Sequence, residues 1–212
     1  MKQILAYGDS LTWGADPVTA LRHTYEDLWP SMLEAGLNGA ARVIHDGLGG
    51  RTTCFDDHAA PSCRNAVKTL PVALGSHMPL DLVILFLGTN DLKAIHGGVA
   101  IGAQAGMRRL IQIVRSYPYK PANAVPEVLI VAPPPCAPSR NGPPNGGRRI
   151  EESLAFSGLY AALAQEMGCA FFDAGMVAQA SPEDGVHLDR EATRAIGGAL
   201  VGPVKAILAR HV

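Results

Sequence analysis

Leu82-Val83-Ile84-Leu85-Phe86-Leu87, closed by Gly88, is the run that decides the fold. Six successive apolar residues leave no polar face, so a strand here must be covered on both sides, as in a parallel sheet between helices. The run is far too short to span a bilayer. Shorter runs of the same kind lie on either side of it. Ile4-Leu5-Ala6-Tyr7 stops at Gly8, Val43-Ile44 with its flanks ends at Gly47, Val128 to Val131 is broken by Pro133-Pro134-Pro135, and Ala170-Phe171-Phe172 forms the fifth. Helical spacing fills the intervals. Tyr25, Leu28, Trp29, Met32 and Leu33 recur before Gly36; Val99, Ile101, Met107, Leu110, Ile111 and Val114 recur over 98–117; Leu154, Leu159, Leu163 and Met167 over 151–167; and 193–208 closes the chain. Five two-faced strands alternating with helices predict a three-layer α/β/α, flavodoxin-like doubly wound fold with a parallel five-stranded sheet. Such folds gather function at the carboxyl ends of their strands. That rule directs attention to the residues after Tyr7, Asp46, Leu87, Val131 and Asp173.

The 212 residues suit one domain spanning 1–212, and 48% apolar content is enough to fill its core, which excludes disorder as the main state. A formal net charge of −1 lacks the basic footprint of a nucleic-acid binder, and no Lys/Arg block suits an anionic membrane surface. Met1-Lys2-Gln3 leads into only a few apolar residues before Gly8, without a cleavage site, so a cytoplasmic protein without signal peptide is expected. Cys54, Cys63, Cys136 and Cys169 form no Cys-x-x-C and have no His at zinc-ligand spacing, so no metal site is expected. Four free thiols are the expectation in a reducing cytosol; Cys54 and Cys63 bracket a short loop and could pair in an oxidising compartment. Cys169 sits in an apolar run and reads as core packing. The stretch from Pro133 to Arg149 is too rich in Pro and Gly for regular structure. It reads equally as a plain surface loop or as a lid or subunit contact at the functional rim.

Four segments near strand ends carry groups suited to acyl transfer. In Gly8-Asp9-Ser10-Leu11-Thr12, a serine leaving a strand can present Oγ at the rim with its own N–H aimed at the same point, or it can simply cap a helix. Thr12 stands where the Gly-x-Ser-x-Gly elbow needs its second glycine, so that motif is absent. In Asp184-Gly185-Val186-His187 the carboxylate can take the imidazole Nδ1–H and leave Nε2 to accept a serine proton. Asp189 and Glu191 are alternative partners for His187, and an incidental loop histidine is the bland reading. Asp46-Gly47-Leu48-Gly49-Gly50-Arg51-Thr52-Thr53 offers glycine N–H groups to a ligand, or else a tight turn capped by Thr52 or Thr53. Gly88-Thr89-Asn90-Asp91 places an uncharged amide donor at the rim, with Asp91 expected to cap the following helix.

The order of these four blocks resembles the SGNH, or GDSL, hydrolase family, and the likeness runs from residue 8 to 187. By that resemblance Ser10 is the nucleophile, and Asp184 and His187 complete a catalytic triad. The Ser10 N–H, Gly50 and Asn90 form the oxyanion hole. Gly50 is chosen because it directly precedes Arg51-Thr52-Thr53, and Gly47 and Gly49 remain open by a shift of register. Asp46 departs from the pattern, since many members have Asn there. Gly8 to Gly14, Arg51-Thr52-Thr53, Pro79 to Ile84, Val131 to Pro135 and Phe171 to Gly175 look like the bacterial arylesterase and acyltransferase branch, with carbohydrate acetylesterases among its relatives. That resemblance implies short, acetyl-type esters of aryl or sugar alcohols as small-molecule substrates, some acyl transfer to alcohols, no metal or organic cofactor, and a homo-oligomer with contacts from the loop after the fourth strand. A thioesterase or lysophospholipase of the same family is the alternative within this chemistry. A flavodoxin-like phosphate-binding protein is the alternative outside it, and leaves His187 and Asn90 without a purpose.

Overall fold

The computed structural model describes residues 1–122 and 124–211. Strands β1 (Lys2–Gly8), β2 (Ala41–Gly47), β3 (Leu82–Phe86), β4 (Glu127–Ala132) and β5 (Ala170–Asp173) form one sheet in the order β2-β1-β3-β4-β5. Every pairing is parallel. This is the doubly wound arrangement expected from the two-faced strand runs, and the order reverses beside β1. The register sets Gly8 level with Gly47 on one side and Phe86 on the other, so the chain leaves β1, β2 and β3 along a single row.

Each strand divides its side chains between two cores, because successive residues point to opposite faces. Leu5, Tyr7, Val83, Leu85 and Ile130 pack against helices α3 (Ala66–His77), α4 (Ala100–Ser116) and α6 (Phe156–Met167) through Leu70, Met107, Leu110 and Leu163. Ile4, Ala6, Ile84, Phe86 and Leu129 pack on the other face against α2 (Trp29–Gly36) and α7 (Arg190–Leu208) through Trp29, Leu33, Ile196 and Leu200. A fully buried side chain of this size contributes roughly 1.5–3 kcal/mol, so both faces are needed to hold β3. The remaining helices are the single turn α1 (Ser10–Trp13) and the short α5 (Ile150–Leu154). No helix among the described residues is long and apolar enough to cross a membrane.

The element boundaries differ from the sequence pattern in three places, each for a local reason. The Tyr25–Leu33 periodicity does not form one helix: Tyr25–Asp27 is a 3₁₀ turn, Leu28 is extended, and α2 starts at Trp29 with Pro30 fixing its first turn. The 151–167 pattern is split at Ala155, whose N–H bonds Glu152 O three residues back and tightens the path there. Helix α3 is not evident in the sequence because Pro71 and Gly75 interrupt it. It is started by Asn65, whose side chain accepts from Val67 N at 3.1 Å, and held by buried Leu70 and Leu74. All four cysteines are free thiols.

Candidate active site

The turn after β1 is made by Gly8, where a Cβ would lie 2.0 Å from Thr12 Oγ1 and 2.8 Å from Phe86 O. Only glycine lets the backbone fold back that closely. Asp9 then caps α1, its Oδ1 accepting from Leu11 N at 2.9 Å. The cap is therefore Asp9, and Ser10 is the first residue of the helix with its hydroxyl free for other work. Gly47 sits under the same turn: a Cβ there would lie 2.2 Å from Trp13 N, so β2 ends directly against the backbone of α1.

Ser10 Oγ is 2.9 Å from His187 Nε2, and His187 Nδ1 is 2.5 Å from Asp184 Oδ2. The carboxylate fixes the tautomer: Nδ1–H donates to Asp184, which leaves the Nε2 lone pair to accept the Ser10 proton. Asp184 Oδ1 accepts from the backbone N–H of Val186 and His187, each at 2.9 Å. Burial pushes the Asp184 carboxyl up, but the bonds from the His187 ring and from the two backbone N–H groups outweigh it and hold it below its usual range. Asp184 is thus the partner of His187. Asp189 instead caps α7 through Ala192 N at 2.8 Å, and Glu191 lies in the first turn of that helix.

The glycine loop is shaped by Arg51. Its Nη1 donates to Gly8 O at 2.7 Å and to Asp46 O at 2.6 Å, its Nη2 donates to Asp46 Oδ1 at 2.8 Å, and the guanidinium lies over the Tyr7 ring at 4.0 Å. Asp46, the departure from the family pattern, is therefore the ion-pair partner that holds Arg51 across the ends of β1 and β2. The three glycines are distinguishable. Gly47 is required by packing, Gly49 has open space where a Cβ would be, and Gly50 takes a left-handed φ of +81° with Arg64 Nε 3.5 Å from its Cβ position. No hydrogen bond among the described residues uses the N–H of Ser10 or Gly50.

Asn90 is 2% exposed. Its Nδ2 donates to Asp9 Oδ2 at 3.2 Å and to Arg51 O at 3.1 Å, both near the long end of the hydrogen-bond range, while its Oδ1 accepts from Arg148 Nη2 at 2.9 Å. Arg148 also donates from Nε to Thr89 O at 2.8 Å and from Nη1 to Asn145 O.

Asp91 does not cap a helix, which corrects the expectation from its position. It is fully buried and accepts from Thr53 N at 3.1 Å on both oxygens and from Thr53 Oγ1 on Oδ1, tying the end of β3 to the glycine loop. Burial drives its carboxyl up to about 7, against the pull of the Thr53 bonds, with the neighbouring Asp9 adding to the rise. Asp9 itself is pushed up to about 6 by burial, opposed by the Leu11 N–H and by His187, Arg148 and Arg51.

The 133–149 segment is neither a bare surface loop nor, in this chain, a detached lid. Ala137 N donates to Gly185 O at 2.9 Å, Arg140 N to Pro182 O at 2.7 Å and Asn145 N to Asp184 O at 2.8 Å, so the segment splints the loop that carries Asp184 and His187. Gly185, at φ +72°, lets that splint close: a Cβ there would lie 2.0 Å from Ala137 O. The contacts made by Arg51, Thr53 and Arg148 could not be read from the sequence, because a loop arginine or threonine reads as solvated until its acceptors are known. No group of three His, Cys, Asp or Glu able to hold a metal occurs among the described residues.

A doubly wound sheet that presents a hydrogen-bonded serine–histidine–carboxylate chain at its strand ends is the arrangement of an α/β acyl-ester hydrolase. Residues 6–195 match the model of the GDSL-like lipase/acylhydrolase family. The chain belongs to that family and is a carboxylic ester hydrolase. Among solved structures it is similar to a protein of Agrobacterium tumefaciens str. C58 proposed to be an arylesterase, at 62% identity and a TM-score of 0.97 over 98% of this chain and 100% of that one. It is also similar to a carbohydrate acetylesterase family member from Sinorhizobium meliloti, at 46% identity, a TM-score of 0.94, and 99% and 100% coverage. A third is the native aryl esterase of M. smegmatis, at 36% identity and a TM-score of 0.90 over 98% and 100% of the two chains. No curated protein matches the chain by sequence.

Proposed function

We propose that the protein is a serine esterase that cleaves short-chain, acetyl-type esters of aryl or sugar alcohols through a Ser10–His187–Asp184 triad. The observation that carries this reading is the unbroken hydrogen-bonded chain from Ser10 Oγ through both ring nitrogens of His187 to Asp184. Ser10 Oγ attacks the ester carbonyl as its proton passes to His187 Nε2, forming a tetrahedral intermediate. Asp184 keeps the ring oriented and stabilises the imidazolium. Collapse of the intermediate breaks the bond to the leaving alcohol, which takes the proton from Nε2, and the acyl group stays on Ser10. Water then attacks the acyl-enzyme with His187 as base, giving the carboxylic acid and free Ser10; an alcohol in place of water gives acyl transfer.

The developing oxyanion is received by the N–H groups of Ser10 and Gly50, which have no competing acceptor among the described residues, and by Asn90 Nδ2. Asn90 Nδ2 is already directed at two acceptors, Asp9 Oδ2 at 3.2 Å and Arg51 O at 3.1 Å, and the proposal requires one of these N–H groups to turn to the oxyanion in the transition state. None of these steps calls for a cofactor. The similarity to carbohydrate acetylesterase and aryl esterase structures supports the short-acyl substrate class. A homo-oligomer acting in the cytoplasm completes the reading. The test is a chain-length series of p-nitrophenyl esters assayed beside acetylated sugars. Activity that falls sharply beyond the shortest acyl groups supports the proposal, and a preference for long acyl chains or thioesters overturns it in favour of a lysophospholipase or thioesterase.

A further inference from the structure

Arg148 is a buried cation that makes no direct ion pair among the described residues, although the Asp9 and Asp184 carboxylates attract it without touching it. It is 6% exposed, and no carboxylate lies within ion-pair distance of it among the described residues. A charge removed from water in this way is costly unless its donors are used well. Here they converge on the end of β3. Nε reaches Thr89 O and Nη2 reaches Asn90 Oδ1, so one planar fork grips the backbone of one residue and the side chain of the next. Nη1 turns the other way, to Asn145 O. Asn145 N–H in turn bonds Asp184 O at 2.8 Å, so a short run of contacts joins the triad acid to the Asn90 amide.

We infer that Arg148 is a positioning residue for the Asn90 amide, holding it oxygen-outward and strengthening its N–H groups as donors. An amide has nearly the same shape either way round, and its orientation is set by its partners. A guanidinium is donor-only, so the atom facing Arg148 must be Oδ1, and Nδ2 then faces the acceptors Asp9 Oδ2 and Arg51 O, so Arg148 and the Arg51 carbonyl fix the same orientation. A charged donor on Oδ1 also draws electron density from the amide and makes its N–H bonds better donors, and the effect is larger in a dry site than in water. Both effects act where negative charge develops, so they favour the transition state over the bound ester.

This inference rests on Asn90 as an oxyanion donor, and the experiment separates the two. Wild type, Arg148→Met, Arg148→Lys, Asn90→Ala and the double variant Arg148→Met/Asn90→Ala are compared for kcat and KM on p-nitrophenyl acetate. Arg148→Met is expected to lower kcat by about tenfold or more, short of the roughly 10²–10³-fold that a lost donor costs, with little change in KM. In the Asn90→Ala background the same change should cost almost nothing further, because no amide remains to be positioned. Arg148→Lys keeps the cation but not the fork and should fall between. It carries the same comparison if the Met variant does not fold. If Asn90→Ala is slow but Arg148→Met is fully active, or its loss multiplies undiminished in the double variant, Arg148 is only a strut and the inference fails. If Asn90→Ala retains full kcat, the oxyanion reading of Asn90 fails and the inference with it.

Discussion

Asp91→Asn should make the protein more stable than wild type, with a gain larger at pH 8 than at pH 5 by on the order of 3 kcal/mol. In the folded chain burial raises the Asp91 carboxyl from 3.8 to about 7. Between those values the folded state holds a proton that the unfolded state has released. Stability must therefore fall as pH rises through the window, and the loss is complete above pH 7. A rise of about three pKa units corresponds to roughly 4 kcal/mol, of which on the order of 3 kcal/mol falls between pH 5 and 8. For a chain of this size that is roughly 5–10 °C in melting temperature. Asn removes the charge while keeping an acceptor for Thr53 N and offering a donor to Thr53 Oγ1, so the tie to the glycine loop survives. Asp9, raised to about 6, adds a fall in the same direction, and because the two carboxyls repel each other the separation between the curves reports Asp91 together with its effect on Asp9. Thermal unfolding followed by circular dichroism at pH 5, 6, 7 and 8 measures it. Parallel curves for the two proteins would refute the assignment of a proton-holding carboxyl at Asp91.

Ser10→Ala and His187→Ala should each abolish turnover, and the double variant should be little worse, because the pair acts as one unit; steady-state assays showing losses that multiply would break the triad apart. Gly49→Ala should be tolerated, as its Cβ meets open space, whereas Gly47→Ala drives a methyl to 2.2 Å from Trp13 N and should displace the Ser10 turn, lowering both kcat and melting temperature. Asn90→Asp should be at least as harmful to kcat as Asn90→Ala, because a carboxylate would face both Asp9 and the developing oxyanion; an active Asn90→Asp enzyme removes Asn90 from the oxyanion hole.

The sheet was legible because β3 and its neighbours are apolar on both faces, a pattern that admits few alternatives. The Ser10–His187–Asp184 contact proposed as a triad could be suspected because Ser10 and the Asp184–His187 pair sit beside strand ends in short, recognisable blocks. What the sequence hid was the support around them. Whether Asp9 or Ser10 caps α1 depends on backbone angles, not on residue type, since both residues cap well. Asp91 looked like a cap because polar residues after a strand usually are, and only its burial against Thr53 shows otherwise. Helix α3 was concealed by Pro71 and Gly75, whose local penalty is outweighed by burying Leu70 and Leu74. Arg148 was concealed most completely: it lies in a Pro- and Gly-rich stretch 58 residues from Asn90, and nothing in a loop's composition reveals which carbonyls its arginine will reach.

The nucleophile itself can be tested with a single reagent. Wild-type protein treated with a fluorophosphonate should take up one equivalent, carried by the peptide containing Ser10, and lose turnover in proportion to labelling. Ser10→Ala should take up none, and His187→Ala should label slowly because its serine lacks a base. Label on another residue, or turnover that persists when Ser10 is fully modified, would contradict the account.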